Sequence, residues 1–328
     1  MLLSIIIPVY NAENYIVEAL NSLVSQTYKN WECILIDDCS TDTTRQLITK
    51  FINNHPDNNF VYKHNESNLR QGLCRNLGVE LASGDYFLFM DNDDILPINA
   101  LELMAKNITD AQLLVGNFAR FQDGANHEDV IFTGSISHDN FFIPREEAFS
   151  NLYNMVYPWA KLYKKDFWQK HDFKFPREKF EDTIIWPAIS SHAKKVIVIN
   201  EVIYLHRVGN INSDGSRIPP SFKLYYSSLQ VRLNTLKKYG ILNTENYYWS
   251  FCLADAYQHI EDMCFSYQRY KMFKLLKSFM PKLPEDKYLA KEIIPPYKVR
   301  KLKKMYDRGI LYFIKPKTHF LKRLFRKA

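Results

Sequence analysis

Short apolar runs alternate with amphipathic stretches along the first hundred residues of the chain. The apolar runs have the length of strands, and they predict strands at Leu3–Val9, Trp31–Ile36, Phe60–His64 and Tyr86–Met90. Between them, apolar residues recur at the spacing of helices, most clearly over Gln71–Leu81. Strands that alternate with helices in this way are typical of a parallel sheet with helices on both faces.

Short polar residues indicate where the first two helices begin. Asn11 is expected to cap the first helix and Ser40 or Thr41 the second, because such side chains accept hydrogen bonds from free backbone N–H groups. The apolar residues expected to face inward from these helices are Ile16, Leu20, Leu23, Val24, Leu47, Ile48 and Phe51. Each helix is therefore expected to pack with one face on the sheet.

The pattern changes after residue 94. Leu113–Phe118 and Val196–Ile199 look like further strands, whereas Asp123–Asn140 is expected to be a loop. From about residue 220 the pattern is mainly helical, with Tyr225–Tyr239 and Tyr247–Tyr270 as the clearest segments. These changes divide the chain into an α/β domain at 1–215, a helical region at 216–296 and a basic tail at 297–328.

Basic residues are concentrated at the end of the chain. The net charge is +7, but residues 297–328 hold 12 Lys or Arg and one acid, which leaves −4 on residues 1–296. An acidic body argues against a nucleic-acid partner. In the tail, cations lie opposite an apolar helical face formed by Phe320, Leu321, Leu324 and Phe325, which predicts a helix on an anionic membrane surface. The alternative is a flexible, solubilising tail.

Composition favours a cytoplasmic globular protein. Hydrophobic residues make up 46%, mean hydropathy is −0.31, and no apolar run approaches the ~20 residues that span a bilayer. The five cysteines form no Cys-x-x-Cys pair, so we expect neither a zinc site nor a disulfide framework. The first residues predict a strand and no secretory leader. With the basic tail, this predicts a peripheral protein on the inner face of the cell membrane.

Polar clusters follow three predicted strands at their carboxyl ends. They are Tyr10-Asn11, Asp37-Asp38 and Asp91-Asn92-Asp93-Asp94. Ligands of open parallel sheets bind beyond the carboxyl ends of the strands, so we expect these clusters to form one site. Crowded carboxylates are stabilised by a shared cation, and Mg²⁺ or Mn²⁺ takes oxygen ligands and bridges carboxylates to phosphates. The alternative is a solvated turn rich in Asp.

Two other nucleotide-binding classes lack their motif in this sequence. Dinucleotide-dependent oxidoreductases need Gly-x-Gly-x-x-Gly after the first strand, whereas the turn at Val9–Asn14 contains no glycine. A P-loop kinase is excluded because no Gly-Lys-Ser or Gly-Lys-Thr occurs. The sheet pattern alone would suit an oxidoreductase, so the missing motif decides against it.

Four segments, in this order, resemble the family 2 glycosyltransferases with the GT-A fold: Ser4–Asn11, Ile36–Asp42, Cys74–Asn76 and Asp91–Asp93. The resemblance covers roughly residues 2–215. It implies an α/β fold of GT-A type, in which a Rossmann-like, mixed and mostly parallel sheet is flanked by helices and followed by a helical C-terminal region.

The resemblance also implies an activity. An inverting enzyme would move a sugar from a nucleotide donor, with UDP favoured, to a hydroxyl of a glycan or lipid-linked acceptor. The product would be a bacterial surface polysaccharide such as capsule or lipopolysaccharide, and the cofactor would be Mn²⁺ or Mg²⁺. The alternative is a non-catalytic nucleotide- or glycan-binding protein on the same fold.

Donor-side roles carry over to residues that match the family segments. Tyr10 would stack on the base, Asp38 would accept a hydrogen bond from the base imide, and Asp91 would hold the ribose. Asp93 would bind the metal, with His206 as a second candidate ligand. The residues to which the resemblance assigns donor binding are Pro8, Tyr10, Glu13, Asp38, Arg75, Asp91, Asn92 and Arg207.

Acceptor-side roles carry over to two later segments, Pro158–Tyr163 and Lys179–Thr183. Asp182, with Glu181 before it, would be the base that removes the acceptor proton. Trp159 would stack on an acceptor sugar. The alternatives are helix capping for Asp182 and core packing for Trp159.

The chain departs from the family pattern at three positions. Arg70 and Cys39 stand where many relatives have glycine, and Cys74 stands where alanine is usual. Cys74 is expected to be buried and inert. These changes leave the expected fold intact but give no indication of which sugar is transferred.

Overall fold

The computed structural model divides into two compact units, Met1–Ile218 and Pro219–Ala328. The division falls close to the predicted boundary after residue 215. The residues that the structure describes are 1–127, 129–133, 141–143, 152, 155–210, 221–241, 257, 260, 266–279, 296–309 and 312.

A nine-stranded mixed sheet forms the centre of the first unit. Its strands are β1 (Leu3–Val9), β2 (Trp31–Asp37), β3 (Asn59–His64), β4 (Tyr86–Phe89), β5 (Leu113–Gln122), β6 (Val130–Thr133), β7 (Phe141–Ile143), β8 (Lys161–Lys164) and β9 (Val196–Val208). The order is β3-β2-β1-β4-β8-β5-β9-β7, and β6 pairs with β5. The predicted α/β sheet is confirmed. Strand β6 contradicts the loop predicted for Asp123–Asn140, because Val130–Thr133 pairs antiparallel with β5.

Parallel and antiparallel pairings occupy different parts of this sheet. Strands β1 to β4 run parallel to one another, whereas β8 runs antiparallel to both β4 and β5. Strands β5 and β9 are again parallel. The carboxyl ends of β1, β2 and β4 therefore meet at one edge, as the sequence pattern requires for a shared site.

Six described helices belong to the first unit and three to the second. They are α1 (Ile16–Val24), α2 (Thr44–Asn54), α3 (Gln71–Leu81), α4 (Ala100–Asn107), α5 (Lys165–Lys170), α6 (Glu181–His192), α7 (Phe222–Lys238), α8 (Ser266–Phe279) and α9 (Pro296–Arg308). The helix predicted at Gln71–Leu81 is confirmed, and the one predicted at Tyr225–Tyr239 is α7. Most of the helix predicted at Tyr247–Tyr270 lies outside the described residues, as does the apolar face predicted at 320–325.

The sheet is buried on both faces, which explains the continuous apolar runs. Every residue of β1 and β2 is buried. Helix α3 packs so closely on β1 that a Cβ atom at Gly78 would lie 2.2 Å from Cγ2 of Ile6. Glycine at this position therefore lets α3 lie close against β1.

The predicted helix caps are wrong. Helix α1 begins only at Ile16, and the Asn11 side chain instead accepts a hydrogen bond from the Thr41 backbone N–H at 2.8 Å. Helix α2 begins at Thr44, where Asp42 Oδ1 accepts from the Thr44 N–H at 3.0 Å. Asn11 and Ser40, the residues predicted as caps, instead form hydrogen bonds between the loop after β1 and the loop after β2.

The second unit has its own apolar cluster. Residues of all three helices meet there: Leu229, Leu233, Met272, Phe273, Leu276, Leu302 and Met305. Because Leu302 and Met305 belong to α9, the residues that follow position 297 are not a separate tail at their start but part of this core. Among the described residues, no helix combines the length and the apolar character needed to cross a membrane.

Candidate functional site

Tyr10 stands at the carboxyl end of β1 and marks the predicted edge. The strand before it is buried, including Pro8, which pairs in register with Ile36 of β2. Tyr10 itself is 48% exposed. An aromatic ring so exposed at the end of a buried strand offers a face on which a flat ligand can stack.

The loops after β1 and β2 are fastened to each other by hydrogen bonds. The Asn11 N–H donates to Ser40 Oγ at 3.0 Å. Glu13 Oε2 accepts from the N–H and the hydroxyl of Thr43, at 3.1 and 2.7 Å. Glu13 is thus placed beside the predicted donor edge, where its carboxylate holds the start of α2.

Asp38 shapes a third loop at this edge. It is 3% exposed, and its two oxygens accept from the backbone N–H groups of Leu69 and Arg70, both at 2.7 Å. Asn65 Nδ2 also donates to it, at 3.1 Å. The sequence pattern predicted a contact with the base imide but not this structural role, since the partners lie about thirty residues away along the chain.

Three residues of these loops adopt left-handed backbone conformations. The φ angles are 48° at Asn11, 68° at Cys39 and 72° at Arg70. At the last two positions many relatives have glycine, the residue that adopts positive φ at least cost. Cys39 and Arg70 therefore hold their loops in conformations that are strained for residues other than glycine.

Asp94 is the fully buried member of the acidic cluster. It accepts hydrogen bonds from the Tyr204 hydroxyl and the Arg207 N–H, both at 2.7 Å. His206 Nδ1 lies 3.2 Å from its oxygens. Asp94 therefore ties β9 to the loop after β4. The sequence pattern placed Asp94 in the acidic cluster but did not predict these partners, because the strand predicted at Val196–Ile199 ends before Tyr204.

Asp93 is the acid of this cluster that fits a metal. Burial, followed by the neighbouring carboxylates of Asp94 and Asp91, raises the pKa of Asp93 to about 6. Asn210 Nδ2 donates to it at 2.9 Å. Asn92 stands between Asp91 and Asp93 and is half-buried.

The donor chemistry of this loop fits a hard cation shared with a substrate. Within the described ranges, no group of three His, Cys, Asp or Glu side chains is placed to hold a metal ion. Mg²⁺ is commonly held by only one or two carboxylates together with substrate phosphates, so Asp93 satisfies that requirement. A nucleotide diphosphate would have to supply the remaining oxygen ligands.

Trp159 and His206 lie together in a stack of rings. The Trp159 ring packs against Tyr157 at 4.0 Å, Tyr204 at 4.7 Å and His206 at 4.9 Å, and the residue is 7% exposed. The predicted contact between Trp159 and an acceptor sugar conflicts with this packing, because the ring would have to leave its aromatic partners. The core alternative describes it correctly.

Arg207 is buried in a network of its own. Its guanidinium binds Glu18 at 2.5 Å, Asp123 at 3.4 Å and the backbone oxygen of Asp93 at 2.8 Å. The predicted contact with a diphosphate would need some of these donors. In the structure, Arg207 holds the loop that carries Asp93, an arrangement the sequence pattern did not predict.

Arg75 joins the donor side to the acceptor side. Its Nη2 lies 2.8 Å from Asp91 and its Nη1 lies 2.5 Å from Glu181, and the side chain is buried. Burial opposes the charge, but Asp91 and Glu181 raise the pKa of Arg75, so the guanidinium is charged. We refer to these three side chains as the Arg75 bridge.

Glu181, a member of the bridge, and Asp182 are the first two residues of helix α6. Burial raises the pKa of Glu181 to about 7, and the charge of Arg75 opposes this rise. Gly72 lets α3 lie close to the segment before α6, since a Cβ there would lie 2.4 Å from the backbone oxygen of Pro176. Asp182 is half-buried, and its Oδ1 accepts from the Thr183 N–H at 2.7 Å. The capping alternative considered from the sequence is not seen, because Phe180 is the N-cap residue of α6 and no side chain caps the helix there.

Comparison with known proteins places this site in a family. Residues 4–170, half of the chain, match the family described as Glycosyl transferase family 2. Glycosyltransferase GlyG of Streptococcus pneumoniae is 28% identical, over 63% of this chain and 70% of GlyG. An Escherichia coli protein, UDP-Glc:alpha-D-GlcNAc-diphosphoundecaprenol beta-1,3-glucosyltransferase WfgD, is 31% identical, over 57% of this chain and 69% of WfgD. Among other curated relatives, the matched share of their own length runs from 20% to 88%.

A solved structure shares the architecture. The chain superposes with a TM-score of 0.72 on S. aureus TarS in complex with UDP-GlcNAc, at 21% identity and over 94% of this chain and 92% of the other. At that identity the likeness shows the fold, and the expected GT-A architecture is confirmed. Together with the matched family segments, it shows that the chain belongs to glycosyl transferase family 2.

Proposed function

We propose that this chain transfers a sugar, with inversion, from a UDP-sugar to a hydroxyl of a glycan or lipid-linked acceptor in surface polysaccharide synthesis. The observation that carries the proposal is the Arg75 bridge, which joins Asp91 at the end of β4 to Glu181 at the start of α6. The bridge brings the predicted donor acids beside the predicted base, Asp182. A transferase needs these two functions close together, whereas a binding protein has no use for a base.

The donor would occupy the edge formed by β1, β2 and β4. Tyr10 would stack on the uracil ring, while the loop held by Asp38 would border the base. Asp91, already oriented by Arg75, would bind the ribose. A bound Mn²⁺ or Mg²⁺ at Asp93, with His206 as a second candidate ligand, would neutralise charge on the diphosphate.

In the proposed transfer step, Asp182 is the general base. The acceptor hydroxyl oxygen attacks the anomeric carbon and forms a new C–O bond on the face opposite the leaving group. The bond between that carbon and the diphosphate oxygen breaks, and UDP leaves with the electron pair. Asp182 takes the hydroxyl proton as the bond forms, a contribution typical of a general base.

The names of two related proteins support the choice of donor and acceptor. WfgD is named for UDP-Glc as donor and for a sugar linked to diphosphoundecaprenol as acceptor. TarS was crystallised with UDP-GlcNAc and with UDP. Both use or bind a uridine nucleotide, which is consistent with an exposed Tyr10 at the base position.

The test is nucleotide release from a panel of UDP-, GDP- and CDP-sugars, with and without Mn²⁺. We expect metal-dependent release of UDP from one donor and loss of that release in Asp93→Ala. The matched control is Asp57→Ala, which removes an exposed acid just before β3, at the amino end of that strand and so at the opposite edge of the sheet from the site. If calorimetry detects no nucleotide binding by the unmodified protein, the proposal is wrong. Binding of UDP-sugar without release, even with glycan acceptors added, would favour the non-catalytic alternative.

We expect Tyr10→Ala to weaken UDP binding by about 1–3 kcal/mol, because the base would lose its stacking surface. Tyr10→Phe keeps the ring and should bind UDP as the unmodified protein does. Isothermal titration calorimetry with UDP measures both. Equal affinity for all three proteins would show that the ring does not contact the base.

A further inference from the structure

The second unit carries an excess of basic residues that the proposed transfer does not use. Residues 219–328 contain 23 Lys or Arg and 8 Asp or Glu, whereas residues 1–218 contain 20 and 28. The excess is thus a property of the whole helical unit and not only of its last residues. A folded unit with charge of one sign favours a partner of the opposite sign.

Helices α8 and α9 present the same residue pattern to solvent. The exposed positions i, i+4 and i+7 of α8 are Tyr267, Lys271 and Lys274. The exposed positions i, i+4, i+7 and i+11 of α9 are Tyr297, Lys301, Lys304 and Arg308. Residues at this spacing lie on one face of a helix. We call these two faces the basic stripes.

The two helices are neighbours, and their other faces form the core. Met272 and Leu276 of α8 share the apolar cluster with Leu302 and Met305 of α9. The rings of Phe273 and Tyr306 meet edge to face at 5.2 Å, and Lys277 Nζ donates to the Tyr306 backbone oxygen at 3.4 Å. Each basic stripe therefore lies opposite a packed face, on one of two adjoining helices.

We propose that the basic stripes bind the surface of a membrane that contains anionic phospholipids. Lysine ammonium groups would contact lipid phosphates, an attraction that grows with each basic residue near the surface. Each stripe also begins with a tyrosine, and Tyr267 and Tyr297 are 66% and 51% exposed. Tyrosine favours the boundary between headgroups and acyl chains, because its ring is apolar and its hydroxyl is polar.

The tyrosines decide between a membrane and a soluble polyanion. They are the large apolar side chains exposed in the described part of the second unit. A polyanion in water would attract the lysines but would offer the rings no apolar layer. The inference does not depend on the proposed function, since it uses only charge and exposure in the second unit.

The experiment is sedimentation of the full chain with two kinds of vesicle, phosphatidylcholine alone and phosphatidylcholine mixed with phosphatidylglycerol. We expect binding to the mixed vesicles only, and weaker binding at high salt. Changing Lys271, Lys274, Lys304 and Arg308 to Gln should weaken binding about 25-fold, which corresponds to two of the four residues engaged at about fivefold each.

A matched variant changes Lys50, Lys106, Lys170 and Lys194 to Gln, which removes the same charge from exposed positions of the first unit. It should bind like the unmodified protein. Tyr267→Ser with Tyr297→Ser should weaken binding to vesicles but not to polyphosphate. Near-UV circular dichroism checks that every variant is folded.

Several outcomes would overturn the proposal. Unchanged binding by the stripe variant would place the contact elsewhere, for example on the residues after position 309. An equal loss of vesicle binding in the matched variant would mean that binding depends on net charge and not on the basic stripes. Binding to polyphosphate without binding to the anionic vesicles would assign the stripes to a soluble polyanion.

Discussion

Asp182→Asn is expected to lower kcat for sugar transfer about 10²- to 10⁴-fold while leaving the Kd for UDP unchanged. The amide is nearly the same size as the carboxylate and can keep the contact with the Thr183 N–H, so the start of α6 should be preserved. It cannot accept the acceptor proton. The loss should therefore fall on kcat and not on donor binding.

A matched variant tests whether the same change from carboxylate to amide lowers transfer at any helix start. Asp166 lies in the first turn of α5 and is exposed, so Asp166→Asn makes the same chemical change at another helix start. It should leave kcat unchanged. Steady-state transfer with the donor identified by nucleotide release, together with calorimetry on UDP, measures both variants. Full transfer by Asp182→Asn would remove Asp182 from the mechanism.

Arg75→Met is expected to lower the free energy of unfolding by about 3–5 kcal/mol. Two carboxylates would lose their buried counter-charge: Asp91 at 2.8 Å and Glu181 at 2.5 Å. Asp91 is partly exposed and can be rehydrated, so Glu181 should contribute most of the cost, and that cost should fall as the pH is lowered and Glu181 takes up a proton. Urea unfolding followed by tryptophan fluorescence measures the difference.

The double variant Arg75→Met, Glu181→Gln separates stability from positioning. Removing the buried carboxylate should recover most of the lost stability, because no unpaired charge remains at the start of α6. Transfer should not recover, since no cation would join Asp91 to the start of α6, where Asp182 lies. Equal stability of Arg75→Met and the unmodified protein would show that the bridge does not stabilise the fold. Recovery of kcat in the double variant would contradict its positioning role.

The central strands could be predicted because burial on both faces of the sheet requires a continuous run of apolar residues, which is visible in the local sequence. An apolar run such as Leu3–Val9 needs no knowledge of its neighbours to be recognised as a strand. Strand β6 was not predicted because it is only four residues long and is surrounded by polar residues. It pairs with the last part of β5, at Ala119–Phe121. The site edge could be predicted for the same reason as the strands, since it follows their carboxyl ends.

The parts of the site that were not predicted depend on distant partners. Arg75 and Glu181 are 106 residues apart, and neither residue's surroundings indicate the other. The resemblance assigned Trp159 to sugar binding, and its ring packing was not predicted because two of the rings that cover it, Tyr204 and His206, come from a strand much later in the chain. The Asn11 cap failed because a left-handed backbone at Asn11 turns its side chain toward the loop after β2.

The residues with positive φ would hold the loops of the site in shape before a nucleotide binds. Positive φ occurs in the site segments at Asn11, Cys39, Arg70, Ala160 and Phe180, none of them glycine. Such conformations cost on the order of 1–3 kcal/mol each, a cost met when the protein folds. An arriving ligand then finds loops that are already in shape and loses little entropy in ordering them. Stability of the empty protein and affinity for the nucleotide therefore oppose each other: relaxing these loops would favour the first and weaken the second.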